Sequence, residues 1–238
     1  MNDNGVGRLS AASGAAFVVA MGVALFLPGA PPKAGESAAQ IASSLAKHRG
    51  AVLAGVYIAG VAAVLGIWFF ATVRAWLARA AADPGQQVAS AAFGAGVLAL
   101  ALVLVGMLLF YGAAYKVAGD GQDAIVRALT DGGNAATALM KFPFALFVAG
   151  VSLVAYRRAL LPRWFASLGG GAAALLVLSA VSLFADGEVT QFGGPLDLLG
   201  GGPGMVWVVA LSVMLARSRA GEPAQAAGGP VARVAVSR

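Results

Sequence analysis

The chain has 238 residues, of which 60% are hydrophobic and only 11% are charged. Charged residues usually make up about a quarter of a soluble domain, so this composition excludes an ordinary water-soluble protein. The formal net charge of +6 could indicate a nucleic-acid-binding protein, but the basic residues are scattered between apolar runs, which favours a membrane surface and no nucleic acid.

Six apolar windows approach or reach the roughly 20 residues that a helix needs to cross the hydrocarbon core of a bilayer. In chain order they cover residues 10–27, 51–73, 88–111, 135–155, 165–185 and 198–216. The sixth window begins with LLGGGPG, which favours irregular backbone in its first half. Together the windows predict an all-α, polytopic transmembrane bundle of about six helices, with the lipid bilayer as its main partner.

The first window has a second interpretation. Arg8 and the apolar run up to Leu27 could form a signal peptide that is removed after secretion. The proline-rich PGAPPKAG that follows lacks a typical small-residue cleavage site, so we expect the window to be retained as a helix. The bundle then occupies residues 1–217, and residues 218–238, which lack apolar periodicity, are predicted to be a disordered cytoplasmic tail.

The connections between the windows predict the orientation of the bundle. With the N-terminus inside, the inner segments hold ten arginines against Asp3, Asp83 and Glu222, whereas the outer segments hold six basic residues against seven acids. Because basic residues concentrate on the cytoplasmic side, both termini are predicted to be cytoplasmic.

The first outer connection contains the signature of a short surface helix. Ser37 and Gln40 match a capping box, in which each residue satisfies a free backbone amide of the other. Ile41 and Leu45 lie four residues apart and would share one apolar face. The pattern predicts a helix that lies at the outer surface.

The second outer connection, GDGQDAIVRALTDGG, also has helix signals. Asp120 or Asp123 could cap its start, and residues 125–129 provide an apolar edge. Gly132 or Gly133 could end it. The pattern predicts a second interfacial helix that is separate from the fourth window.

Sequence motifs for catalysis or cofactor binding are not found. The chain has no cysteine, which excludes disulfides, zinc–thiolate sites and a cysteine nucleophile. His48 is the only histidine, so a site with several histidine ligands is excluded, and we expect His48 to be a solvated side chain. No nucleotide-binding loop or metalloprotease motif is present, and we expect no cofactor and no metal.

Lys141 is the basic residue nearest to membrane depth, since it lies inside the fourth window. If the helix begins near Ala135, the ammonium is buried and must meet an acid, because an unpaired charge in lipid is costly. If the helix begins near Phe142, Lys141 reaches the outer surface with its long side chain. We expect the second arrangement, in which neutralising Lys141 changes stability by less than about 1 kcal/mol.

The acids of the outer connections are the remaining candidates for chemistry. Asp186, Glu188 and Asp197 flank the last outer loop and are the acids to test for catalysis. A further set could form an outward-facing polar mouth: Lys141, Asp120, Asp123 and Asp131. Ordinary solvation of loops accounts for the same acids, and we favour that interpretation.

The segment YRRALLPRWFASLGGGAAALLVL resembles the central inner hairpin of an uncharacterised bacterial family of multi-pass membrane proteins, defined only by a domain of unknown function. The alternation of basic inner turns and polar outer loops is similar as well. The resemblance implies a helical membrane fold and assigns no functional residue. The Ala-, Gly- and Arg-rich composition resembles that of an actinobacterium, which implies the plasma membrane as the location.

Three functions are compatible with this sequence, which does not indicate an oligomeric state. The first is a non-enzymatic membrane protein, which a tightly packed bundle with acids only in loops would favour. The second is an intramembrane enzyme acting on a lipid-soluble substrate, of the terpene or prenyl cyclase type, which an apolar pocket with one carboxyl at its wall would favour. The third is a transporter or transporter subunit, which a polar path across the bundle would favour.

Overall fold

The computed structural model describes residues 3–29, 36–80, 85–118, 121–183 and 194–218. These residues contain no strand, and the predicted all-α bundle is confirmed. The helices are α1 (Asp3–Phe26), α2 (Ala38–Lys47), α3 (Arg49–Ala80), α4 (Gly85–Gly112), α5 (Asp123–Leu139), α6 (Lys141–Arg157), α7 (Arg163–Ser179) and α8 (Pro195–Ser218). A π-helical turn, Ala113–Val117, follows α4, and a 3-10 turn, Ala180–Leu183, follows α7.

Within the described residues, five helical stretches are long and apolar enough to cross a membrane, which identifies a multi-pass membrane protein. They are Arg49–Ala80, Gly85–Tyr115, Asp123–Arg157, Arg163–Leu183 and Pro195–Arg217. The first predicted window appears as a shorter apolar stretch, Ala12–Phe26, within α1. The expectation of irregular backbone at LLGGGPG is wrong, because α8 runs through Pro203 as regular helix. The predicted tail, residues 218–238, lies outside the described residues except for Ser218, the last residue of α8.

Six of the helices form a closed ring in which each packs on two neighbours. The order around the ring is α1, α3, α4, α6, α7, α8 and back to α1. Bulky side chains fill the middle, where the rings of Phe70 from α3 and Phe147 from α6 lie 4.5 Å apart between centroids. Both are almost completely buried. Because the ring closes between α8 and α1, the first and last helices of the bundle are direct neighbours.

Among the side chains that the structure describes, six exposed arginines mark one end of this ring, which we call the arginine end. They are Arg74, Arg79, Arg157, Arg158, Arg163 and Arg217. The opposite end, which we call the α2 end, is covered by α2, the first half of α5 and the π-helical turn. The separation agrees with the predicted grouping of basic residues at one face, while which face is cytoplasmic stays a prediction.

The capping box of α2 is confirmed. The Ser37 amide donates to Gln40 Oε1 over 2.8 Å, and the Gln40 amide donates to Ser37 Oγ over 3.3 Å. Ile41 and Leu45 are buried against Val126 of α5 in a small apolar cluster. The cluster holds α2 and α5 together over the end of the bundle.

The predicted end of the second interfacial helix is wrong. α5 continues past Gly132 and Gly133 to Leu139, and only Met140 separates it from α6. The two glycines do not end the helix but allow it to pack closely on α4. A Cβ on Gly133 would lie 3.2 Å from the carbonyl oxygen of Gly106 in α4. The two helices thus pack backbone against backbone, and α5 with α6 forms one nearly continuous 35-residue helix.

Candidate functional site

Lys141 is buried, contrary to our expectation of a surface-reaching side chain, with a relative exposure of only 3%. It lies in the middle of the α5–α6 helix instead of at the start of a spanning helix, because α5 does not end at its glycines. At 1.5 Å per residue, Lys141 lies about 24 Å along α6 from Arg157 at the arginine end. A hydrocarbon core of about 30 Å that starts at Arg157 therefore includes Lys141.

The Lys141 ammonium has three N–H donors, and each has an acceptor. Nζ donates to Asp197 Oδ1 over 2.7 Å, in an ion pair whose side chains are 4% and 15% exposed. It also donates to the carbonyl oxygen of Ser179 over 3.0 Å and to Ser182 Oγ over 3.3 Å. The charge is thus neutralised and its hydrogen-bonding capacity is used, which is the condition for holding a lysine at membrane depth.

Two helix ends position these partners. Ser179 is the last residue of α7, directly before the 3-10 turn, and its carbonyl oxygen at the negative end of the helix dipole accepts a hydrogen bond from Lys141. Asp197 lies in the first turn of α8, where a negative charge is favoured by the helix dipole. Each charge therefore interacts favourably with a helix end as well as with its partner.

Gly200 lets the two ends approach. A Cβ at Gly200 would collide with Oγ and Cβ of Ser179 and would lie 3.2 Å from the carbonyl oxygen of Leu175. A side chain at this position would push α8 away from α7. The glycine-rich start of α8 thus allows Asp197 and the Ser179 carbonyl to bind the same ammonium.

A cavity of about 320 Å³ opens beside the Lys141–Asp197 pair, between α1, α3, α4, α6 and α8. Its walls are mostly apolar, and the larger side chains that line it are Phe17, Met21, Phe70, Leu100, Phe144 and Met205. Gly22, Gly201 and Gly202 also line it, and a Cβ on any of these three would meet no atom within 4 Å. We call this space the ion-pair cavity.

A smaller chamber of about 80 Å³ adjoins the ion-pair cavity at the α2 end. Leu25, Val103 and Thr137 line both spaces. His48 and Ser44 of α2 line the outer part of the chamber, and His48 is exposed, as expected, with its Nδ1 3.0 Å from the carbonyl oxygen of Ser44. Together the two spaces extend from the α2 surface to the ion pair.

The described structure does not bring Asp123 or Asp131 of the predicted polar mouth to Lys141. Asp131 is exposed and pairs with Arg127 one turn earlier on α5, over 3.4 Å, and not with Lys141. Asp123 lies in the first turn of α5 and is not among the described residues that line the cavity. Three acids of the sequence prediction, Asp120, Asp186 and Glu188, lie outside the described residues. Asp197 is thus the acid that the described structure brings to Lys141.

Sequence reasoning missed Ser179, Ser182 and Gly22. The two serines stand three residues apart near the end of an otherwise apolar window, and this spacing on one helical face was the available signal. The described residues contain no cluster of His, Asp and Glu that could hold a metal ion.

No family model, curated protein or solved structure matches this chain.

Proposed function

We propose that this chain is a non-enzymatic, multi-pass protein of a bacterial plasma membrane that binds a lipid-soluble ligand in the ion-pair cavity. The observation that carries the proposal is an apolar cavity of about 320 Å³ with a single buried ion pair at its wall. Ligand sites combine mostly apolar walls with a few fixed polar groups, and this cavity has that composition. The apolar part of the ligand would fill the cavity, and its polar group would lie beside Lys141 and Asp197.

The glycine wall supports access from the bilayer. Gly22 of α1 faces the cavity opposite Gly201 and Gly202 of α8, so the two helices leave space between them at this level. Nearer the arginine end the same helices are joined, because the Ala15 amide donates to Ser212 Oγ over 3.1 Å. A molecule dissolved in the bilayer could thus enter sideways without crossing a polar surface.

The first test fills the cavity without touching the ion pair. Gly22→Leu and Gly201→Leu place an apolar side chain in the open space, and we expect each to lower the affinity for a photoreactive long-chain prenol at least tenfold, or about 1.4 kcal/mol. Photocrosslinking of the purified protein in nanodiscs measures this. Gly60→Leu is the matched control, because Gly60 also has free space but does not line the cavity. Equal crosslinking of all four proteins would contradict the proposal.

An intramembrane enzyme is the second candidate, because the Asp197 carboxyl lies at the wall of an apolar cavity. An acid that protonates an alkene must carry a proton, whereas Asp197 accepts a hydrogen bond from Lys141. The ion pair thus favours binding over this chemistry. Conversion of a polyprenyl substrate by the wild-type protein, lost in Asp197→Asn, would reverse that preference. The apolar walls likewise support a lipid-soluble ligand over the polar solute of a transporter.

The arginine end is proposed to face the cytoplasm, with both termini on that side. The chain has no cysteine, so a single introduced thiol reports one position. We expect Ser43→Cys on exposed α2 to react with an impermeant maleimide added to intact cells, and Ala159→Cys in the turn after α6 to react only after lysis. The opposite labelling pattern would show that the orientation is reversed.

A further inference from the structure

The arginine end is strongly positive. Its six exposed arginines face no acidic side chain within the described residues, because the four acids whose side chains are described all lie toward the α2 end. A surface of this kind attracts anionic headgroups, at about 1 kcal/mol for each Arg or Lys near the membrane surface. Attraction alone does not define a site, but a groove beside one of these arginines does.

The groove runs along the lipid-facing side of α3. Trp68, Thr72, Ala75 and Arg79 follow one another at spacings of four, three and four residues, which places them on one helical face. Ser10 of α1 also lines the groove, where Trp68 Nε1 donates to Ser10 Oγ over 2.9 Å. The groove has a volume of about 560 Å³ and spans about 16 Å between Trp68 and Arg79.

The groove is apolar along its length and basic at its outer end. Val64, Ile67, Ala71 and Ala75 provide aliphatic walls, and the small alanines leave its middle open. Arg79 forms no ion pair with any described residue, whereas Arg74, on the same helix, lies with its guanidinium over the Phe93 ring at 5.7 Å from the centroid. Arg79 is thus the arginine that can turn to a ligand at the mouth of the groove.

We propose that this groove binds an anionic phospholipid, with one acyl chain along α3 and the phosphate at Arg79. The order of groups in the groove, apolar chain space and then a cation near the membrane boundary, matches the order in such a lipid. A zwitterionic lipid would carry its own positive charge next to the phosphate and would gain less from Arg79. The site lies at the opposite end of the bundle from the α2 chamber and does not depend on the ligand of the ion-pair cavity.

The experiment is native mass spectrometry of the full chain, released from nanodiscs that contain equal amounts of phosphatidylglycerol and phosphatidylcholine. We expect the wild type to retain phosphatidylglycerol preferentially, and Arg79→Gln to lower its occupancy at least fivefold. Arg79→Lys keeps the charge and should retain most of the binding. Ala75→Trp should remove bound lipid by filling the groove.

Arg74→Gln is the matched control, since it removes one positive charge from the same helix but outside the groove. We expect it to keep more than half of the phosphatidylglycerol occupancy. Equal losses in Arg74→Gln and Arg79→Gln would show a diffuse charge effect and overturn the site. Equal retention of the two lipids by the wild type would overturn the assignment of an anionic ligand.

Discussion

Replacement of Lys141 by methionine is expected to destabilise the bundle by about 3–5 kcal/mol, because it leaves the buried Asp197 carboxylate without its cation. The Ser179 carbonyl loses its hydrogen bond from Lys141 at the same time. The free energy of unfolding can be measured in mixed micelles by denaturant titration, with tryptophan fluorescence as the signal. An effect below about 1 kcal/mol would show that the ion pair does not form.

The double variant Lys141→Met with Asp197→Leu separates lost pairing from lost packing. Replacing both members of a buried ion pair by apolar residues is often neutral or stabilising, so we expect most of the stability to return. Arg127→Gln is the control for an exposed pair, because Arg127 and Asp131 are 43% and 60% exposed in their side chains. It should change stability by less than about 1 kcal/mol. If the double variant is no more stable than Lys141→Met, the pairing explanation is wrong.

Gly169→Leu is expected to prevent normal packing of α6, α7 and α8, with a loss of at least about 3 kcal/mol of stability. A Cβ on Gly169 would collide with Ser152 Oγ and lie 2.7 Å from Trp207 Nε1. The Trp207 indole cannot easily retreat, because it is stacked on Phe165 and its Nε1 donates to the Phe165 carbonyl oxygen over 3.3 Å. The same unfolding titration measures the loss.

Gly170→Leu is the matched control, since its Cβ would meet no atom within 4 Å and the position is exposed. We expect it to change stability by less than about 0.5 kcal/mol. Gly169→Ala keeps the test informative if the leucine variant does not fold, with an expected loss of about 1–3 kcal/mol. Similar stabilities of the leucine variants at 169 and 170 would contradict the packing described for α7.

The features predicted correctly are those that depend on local sequence. Apolar windows follow from the thickness of the bilayer, and the capping box follows from two residues of one turn, Ser37 and Gln40. The end of α5 depends instead on tertiary contacts. Gly132 and Gly133 have the composition of a helix terminus, but their contact with α4 keeps the chain helical, and no local pattern reports that contact.

Only the candidate residues of the site could be predicted from the sequence, and not the contacts between them. The sequence identified Lys141 as the basic residue of interest and Asp197 as one of three acids that flank the last outer loop, but not that the two meet. Their contact depends on the continuation of α5 into α6 and on the close approach of α7 and α8 at Gly200. The cavity depends on the separation of α1 from α8, helices at opposite ends of the chain, so no sequence window contains it.

The order of the ring has a consequence for biosynthesis. Lys141 leaves the ribosome well before Asp197, and at roughly 5–20 residues per second the interval is on the order of several seconds. During that interval the ammonium has no carboxylate partner, and the ring lacks the helix that joins α7 to α1. The insertion machinery must therefore hold a half-built bundle with a charged residue until the last helix arrives. A ribosome that stalls between these two residues would leave the Lys141 ammonium in the bilayer without its carboxylate partner, at a cost in free energy.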